Sequence, residues 1–366
     1  MRRVNRHLFT PPLPQRAGID PVNFTLPDAA NPQDDTLGTS SVIDYLTTRF
    51  YPHDPALFQD RFNRGEVKHS DGSPVHPKDP LTGQKIWYYR ELGQEKPVPF
   101  DLPILYEDDW VLAIDKPHFL PTTPNGSFVA HTALTRLRVT HKNPQLIPIH
   151  RLDRATAGVV LFAKRPEARA PFQTLFQRRE TQKTYEAVVV SEGIEPQAVT
   201  VRSRIEKAHG RLQVDQSQLE ILPPDADPLP QETKAERRER RRSGAGFEGQ
   251  NAQSRVTPLA SYRLAEGLLP EVSEANPALD LPTPGSQLTH LRLEPSTGKT
   301  HQLRVHLAAL GLPIAGDVVY PQVLPPADDE PALPLQLLAR SLAFTHPMTG
   351  QELELESRRH LALAPR

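Results

Sequence analysis

The chain contains no cysteine, which excludes disulfide scaffolds, thiolate zinc sites, iron–sulfur clusters and cysteine nucleophiles. No run approaches 18 apolar residues, so no segment reads as a membrane span. The N-terminus, MRRVNRHLFTPPLPQ, is basic but lacks the apolar stretch of a secretory signal, and a cytoplasmic location is the default expectation. A G-x-S-x-G nucleophile elbow is missing too. What the chain has in excess is proline, 40 of 366 residues, about 11% against a usual share of about 5%. Adding 19 glycines brings the pair to about 16%, below the 25–30% of disordered chains. The composition is that of a globular protein with Pro-rich arms and loops. At 366 residues it is long enough for about two domains.

The formal net charge of −1 hides an asymmetry. Residues 133–184 hold 11 Lys/Arg against Asp153, Glu167 and Glu180, a net charge of 11 − 3 = +8, which leaves −9 for the rest. A basic middle on a near-neutral chain is the footprint of a phosphate-rich partner; the bland alternative is a solvated surface evened out by acidic loops. A second basic run, KAERRERRR from Lys234 to Arg242, has no apolar periodicity and reads as a solubilising surface loop.

Residues 1–39 read as a Pro-rich arm and residues 40–97 as a small accessory region. In the latter, SSVIDYLTTRF begins with a Ser cap and spaces Val42, Tyr45 and Leu46 for a helix. FQDRFNRGEV predicts a second helix ending at Gly65, followed by a short strand and an Asp-Gly turn. This order loosely resembles a small RNA-binding module of the S4 type. Beyond residue 98, ILYEDD and WVLAIDKP predict a strand pair, GVVLFAK a buried strand, and Pro166 the start of a helix with Phe172, Leu175 and Phe176 as its apolar stripe. KTYEAVVV, VTPLASYRL, SQLTHLRL, LQLLARSLAF and QELELES read as further strands, and THQLRVHLAALG as a helix ending at Gly311. Segments 206–255 and 267–286 read as loop insertions. Many strands with few helices predict an α+β fold with a largely antiparallel central sheet.

PSTGKTHQ suggests a phosphate-binding loop, but that motif needs a glycine where Leu293 stands, so nucleotide hydrolysis is rejected. His301 and His306 are five apart and fall on different helix faces, so no metal site is expected. The informative segment is IHRLDRATAGVVLFAK, residues 149–164. It presents one carboxylate, Asp153, between Arg151 and Arg154, on a turn ahead of a buried strand. A structural ion pair would give the same pattern. Neighbouring arginines also favour an ionised carboxylate ready to act as nucleophile or base.

HRLDRATAG resembles the H-R-L-D-x-x-T-[SA]-G signature of the RluA-type pseudouridine synthases. The blocks ILYEDDWVLAIDKP, HRLD, QKTYEAVV, STGKTHQLRVHLAALGLPIAGDVVY and LLARSLAFTHPMTG follow in the order of that family, across roughly residues 98–357. The resemblance implies a catalytic domain over 98–366 and a cofactor-free isomerase that converts uridine in ribosomal or transfer RNA to pseudouridine. It further implies Asp153 as the catalytic aspartate, Tyr185 against the flipped uracil, and Arg304 paired with Asp153. Arg151 and Arg154 would contact RNA, and Leu338 would pack under the base. The partner expected is RNA, with no membrane and no DNA, the protein acting as a monomer. Two departures are mild: Lys299 replaces the usual arginine before Thr-His-Gln, and Ala157 replaces a common serine. Alternatives are an inactive RNA-binding protein of the same fold and a nucleoside glycosidase using the same aspartate.

Overall fold

A computed structural model describes residues 11–50, 56–90, 92, 95, 97–126, 128–208, 210–232, 234–243, 248–266, 282–325 and 333–365. It divides into two compact units, Met1–Glu95 with Thr135–Pro144, and Lys96–Leu134 with Gln145–Arg366.

The first unit holds β1 (Val22–Thr25), α1 (Val42–Phe50), α2 (Ala56–Asn63), β2 (Val67–His69) and β3 (Lys85–Tyr88). Ser41 caps α1: its Oγ accepts the Asp44 N–H at 3.3 Å and donates to the Asp44 carboxylate at 2.6 Å. The helical spacing of Val42, Tyr45 and Leu46 buries all three against Phe58, Leu81 and Ile86. The strands form a sheet of order β1-β3-β2. The N-terminal arm therefore needs a correction, because residues 22–25 within it are an edge strand packing Val22 and Phe24 on this core. Two apolar residues in a four-residue strand are too few for a period to show. Residues 1–10 of the arm lie outside the described residues.

Helix α3 (Ala133–Thr140) spans the division between the units in the chain. The second unit contains β4 (Ile104–Glu107), β5 (Val111–Lys116), β6 (Ile147–Pro148), β7 (Ala157–Ala163), α4 (Pro166–Arg178), β8 (Thr181–Val190), β9 (Val199–Glu206), β10 (Asp215–Leu222), α5 (Lys234–Ser243), β11 (Ala252–Arg263), β12 (Gln287–Pro295), α6 (Gln302–Ala309), β13 (Leu337–Thr345) and β14 (Glu352–Glu356). Its eleven strands form one sheet along the path β10-β9-β11-β12-β8-β13-β7-β5-β4, with β14 on β13 and β6 on β7. Every pairing is antiparallel except β13 with β7, so the expected α+β class with a largely antiparallel sheet is observed. All seven residues of β7 are buried, as a central strand requires. Helix α4 starts with Pro166 in its first turn and packs Phe172 and Leu175 on β5, β7 and β13. Helix α6 packs Leu303 and Leu307 on β8, β11 and β12.

Segment 206–255, expected as a loop, contains β10 and α5. β10 exposes most of its side chains and α5 has no apolar stripe, so neither shows the amphipathic period that marks an element in sequence. Of the second insertion, residues 267–281 lie outside the described residues.

The parallel contact of β7 with β13 depends on Gly158. Its φ is +114°, and a Cβ placed there would lie 2.2 Å from the Ala339 carbonyl oxygen and 2.8 Å from the Ala339 nitrogen. Both objections are backbone, which cannot move aside without separating the strands. Gly158→Ala is expected to cost about 3 kcal/mol or more, read as a lowered urea midpoint. An unchanged midpoint would mean that the strands are not held at this spacing.

Candidate active site

The segment carrying Asp153 links β6 to β7 and is held from beneath by three side chains. Thr122 Oγ1 donates to the Leu152 carbonyl at 3.0 Å and accepts the Leu152 N–H at 3.2 Å. His118 Nδ1 donates to the Ala155 carbonyl at 2.6 Å. Lys116, fully buried at the end of β5, donates to the carbonyls of Pro117, Leu120 and Arg154 at 2.9, 2.8 and 3.2 Å. Burial lowers the Lys116 ammonium to about 7, with the Asp153 charge opposing, and lowers His118 to about 4. At the head of the segment, His150 accepts the Leu161 N–H through Nε2 at 3.2 Å, and burial lowers its imidazole to about 3. With both ends of the turn fixed, the Thr156 N–H bonds the Asp153 carbonyl at 3.1 Å, and the carboxylate remains partly exposed.

Strand β8 supplies the facing wall. Its two-residue period places Lys183 and Tyr185 on one side, and both line a cavity of about 410 Å³ that also takes in Arg151, Asp153 and Arg304. Burial, and then the Asp153 charge, push the Tyr185 hydroxyl far above the ordinary phenol value, so it keeps its proton. Among the described residues this hydroxyl has no hydrogen-bond partner. Lys183 donates to the Thr297 carbonyl at 2.9 Å, and burial, followed by the Arg179 charge, lowers it to about 8.

The turn between β12 and α6, residues 296–301, closes the cavity. Gln302 fixes it, accepting Thr297 Oγ1 at 2.8 Å and the Lys299 N–H at 3.0 Å while donating to the Gln253 carbonyl and Ser254 Oγ, both at 2.9 Å. One turn of chemistry follows in α6. Arg304 is 5% exposed and gives Nε and one terminal nitrogen to the two Asp317 oxygens at 2.8 and 2.5 Å. Its other terminal nitrogen lies 3.9 Å from Asp153 Oδ2. Burial opposes the guanidinium charge, but the hydrogen bonds and charge of Asp317 more than offset it and hold the group above its ordinary value. Asp317 is itself fixed by the backbone N–H groups of Val319 and Tyr320 at 2.8 and 3.1 Å. His301 Nε2 stands 3.9 Å from the same Asp153 oxygen, with Nδ1 3.1 Å from the Tyr320 hydroxyl. Burial keeps this imidazole below its ordinary value despite the pull of Asp153.

Asp153, Tyr185, Arg304 and Arg151 thus meet at one cavity, two readings change, and several contributors were not foreseen. The direct partner of Arg304 is Asp317, with Asp153 at longer reach. Asp317 lay inside the quoted block STGKTHQLRVHLAALGLPIAGDVVY, but its sequence separation from Arg304 gave no pairing signal. Leu338 does not face the cavity. It is fully buried in the cluster on the other side of the sheet, and Leu337 lines the cavity instead, because neighbouring strand residues point to opposite faces. Arg154 stands with its guanidinium 5.3 Å from the Phe128 ring. Lys116 was legible only as part of the DKP block, Lys183 lay unremarked within its own, and His301, weighed above only as a metal ligand, lines the cavity. His301 and His306 diverge, His306 bonding Ser203 and Ser254.

The sequence profile for RNA pseudouridylate synthase matches residues 110–309, 200 of 366 positions and more than half of the chain. The chain belongs to that family. Its activity is therefore the formation of pseudouridine in RNA, an isomerisation. Among its relatives, an uncharacterized RNA pseudouridine synthase of Synechocystis is 28% identical over 86% of this chain and 92% of its own. The ribosomal large subunit pseudouridine synthase D of Pseudomonas aeruginosa is 27% identical over 78% of each chain. The dual-specificity RNA pseudouridine synthase RluA of Vibrio vulnificus is 31% identical over 67% of this chain and 78% of its own. None of these matches favours an inactive binder or a glycosidase.

Two outcomes follow for this pseudouridine synthase. Asp317→Asn leaves the buried Arg304 charge without its close counterion and is expected to cost about 3–5 kcal/mol of stability, with isomerisation falling as Arg304 loses its fixed orientation. Wild-type urea midpoint and rate in this variant would deny Asp317 that function. A protonated His150 cannot accept the Leu161 N–H. Its folded pKa is depressed below the unfolded value of about 6.5, so its stabilisation is complete above that value and is lost as pH falls toward about 3. Going from pH 7 to pH 5 should cost about 2 kcal/mol through this one ring, and His150→Gln should remove that share of the pH dependence of the urea midpoint. An identical pH dependence in the two proteins would show that His150 titrates freely.

Proposed function

We propose that the pseudouridine synthase reaction of this chain is carried by Asp153, Tyr185 and Arg304, acting on a uridine turned out of its RNA stack into the cavity. The observation that carries this reading is the meeting of the three around one space, with Arg304 held by Asp317 so that its remaining nitrogen faces the Asp153 carboxylate at 3.9 Å. The reaction breaks N1–C1′, joins C1′ to C5, releases the proton from C5 and protonates N1, so it is redox-neutral. Asp153 acts at the ribose, as nucleophile or as base. Tyr185 offers its ring to the base, and its hydroxyl relays the C5 proton, giving its own proton to solvent as it takes that one. Arg304 orients Asp153. Arg151, exposed at the cavity, and Arg154 contact the RNA, where an extruded nucleotide must be held against restacking.

The substrate we propose is ribosomal or transfer RNA, acted on by a monomer in the cytoplasm. Support comes from the relatives, one named for the ribosomal large subunit and another for dual specificity, and from the excess of 11 Lys/Arg over three acidic residues in 133–184. Comparing pseudouridine positions in total RNA with and without the gene identifies the uridine.

The test of the chemistry is tritium release from RNA labelled at uridine C5, in single turnover at saturating RNA. Asp153→Asn should abolish release while RNA affinity stays within a few-fold, since phosphate contacts supply most of the binding. Tyr185→Phe keeps the stacking ring and should bind normally yet react about 10²–10⁴-fold more slowly. Appreciable turnover by the first variant would remove Asp153 from its role. A Phe variant as fast as wild type would leave Tyr185 as a stacking platform only.

A further inference from the structure

The basic run Lys234–Arg242 is a helix, and the protein anchors it beside the active cavity. Just ahead of α5, the Leu229 N–H bonds Gln253 Oε1 at 2.6 Å. Gln253 in turn donates its N–H to Thr297 Oγ1 at 2.9 Å and accepts Gln302 Nε2 at 2.9 Å. Thr297 and Gln302 both line the cavity. The Leu229 carbonyl also accepts Arg179 Nη1, and Gln231 Nε2 donates to the Arg178 carbonyl at 2.9 Å. Arg240 then ties the helix back to the chain before it through Glu232, at 2.7 and 3.2 Å. Arg240 and Arg179 both lie close enough to add to burial in lowering the ammonium of Lys299, another cavity residue. Six basic residues stand against two acidic ones between Lys234 and Arg242. Arg238 and Arg242 are exposed, and neither has an ion-pair partner among the described residues. Four apart in a helix, they share a face.

A basic last turn suits the helix dipole of any solvated helix, so charge alone decides little. Placement decides more. Like charges at i, i+4 repel, and the helix carrying this pair is anchored next to Thr297, Gln302 and Lys299, which line the cavity, so positive charge gathers at the rim instead of being dispersed. A polyanion whose one nucleotide enters the cavity must run its backbone past the rim. We propose that α5 is an RNA-backbone clamp, in which Arg238 and Arg242 hold phosphates of the strand flanking the uridine in the cavity. This rests on the reading that the cavity receives a uridine of an RNA strand.

The full chain carrying Arg238→Gln and Arg242→Gln tests it, since glutamine keeps helix propensity while removing charge. Binding to a short RNA hairpin of defined sequence is measured between about 50 and 200 mM salt, with circular dichroism as the folding control. The slope of log affinity against log salt should become shallower by about 1.4–1.8, the sum of two phosphate contacts. Affinity at the low-salt end should fall several-fold, and KM for tritium release should rise more than kcat changes. Arg238→Lys with Arg242→Lys should restore the slope. Equal slopes for wild type and the glutamine variant, or a wild-type affinity that does not vary with salt, would overturn the clamp. Failure of wild type to release tritium from RNA would instead overturn the reading of the cavity, while the slopes would still report on α5.

Discussion

An ammonium group buried in a protein must be given acceptors or lose its proton, and Lys116 meets that constraint in a way that organises the site. Its three N–H groups take the carbonyls of Pro117, Leu120 and Arg154, so the end of β5, the turn after it and the Asp153 segment converge on one nitrogen. A neutral amine has only two protons to give, so the full set of bonds belongs to the charged form. Asp153, whose charge favours that form, is thereby linked electrostatically to the group that fixes its own backbone. Thr122 and His118 add local bonds, but the lysine joins three stretches of chain at once.

A second constraint acts on Asp153 from the side. Arg304 is buried while one of its nitrogens still faces Asp153, and Asp317 makes that tolerable through a bidentate pair. A buried pair of this kind contributes little net stability, and its value lies in geometry. With Nε and one terminal nitrogen committed, the guanidinium plane is fixed and the remaining nitrogen can point only toward Asp153. The Asp153 carboxylate is therefore positioned from below by backbone contacts and from the side by a charge that cannot rotate.

How much of this the sequence revealed follows from the kind of signal each feature leaves. Buried strands such as β7 and capped helices such as α1 are legible because apolar periodicity and caps are local. Asp153, Tyr185 and Arg304 could be named from motif blocks, and the structure gathers them. What local reading misses is pairing at a distance and orientation by one residue. Arg304 finds Asp317 thirteen positions away, across a loop with no periodicity. Leu338 and Leu337 exchange places because a motif marks a strand without saying which face it turns inward. The strand at 22–25 and the elements β10 and α5 were read as coil because short or wholly polar elements carry no apolar stripe.

The crowd of cations around the cavity has a further consequence. A uracil that parts from C1′ takes the bonding electron pair with it, so in the proposed reaction negative charge appears on the detached base. Lys183, Arg304 and the N-terminal end of α6 then face a second anion, one that exists only after the glycosidic bond breaks. A field arranged in advance opposes diffusion of that fragment and lowers its energy without rearrangement. The base must rotate to present C5 where N1 had been, and nondirectional charge tolerates rotation where a set of fixed hydrogen bonds would resist it. An electropositive cage that grips loosely is what lets the ring turn over without leaving.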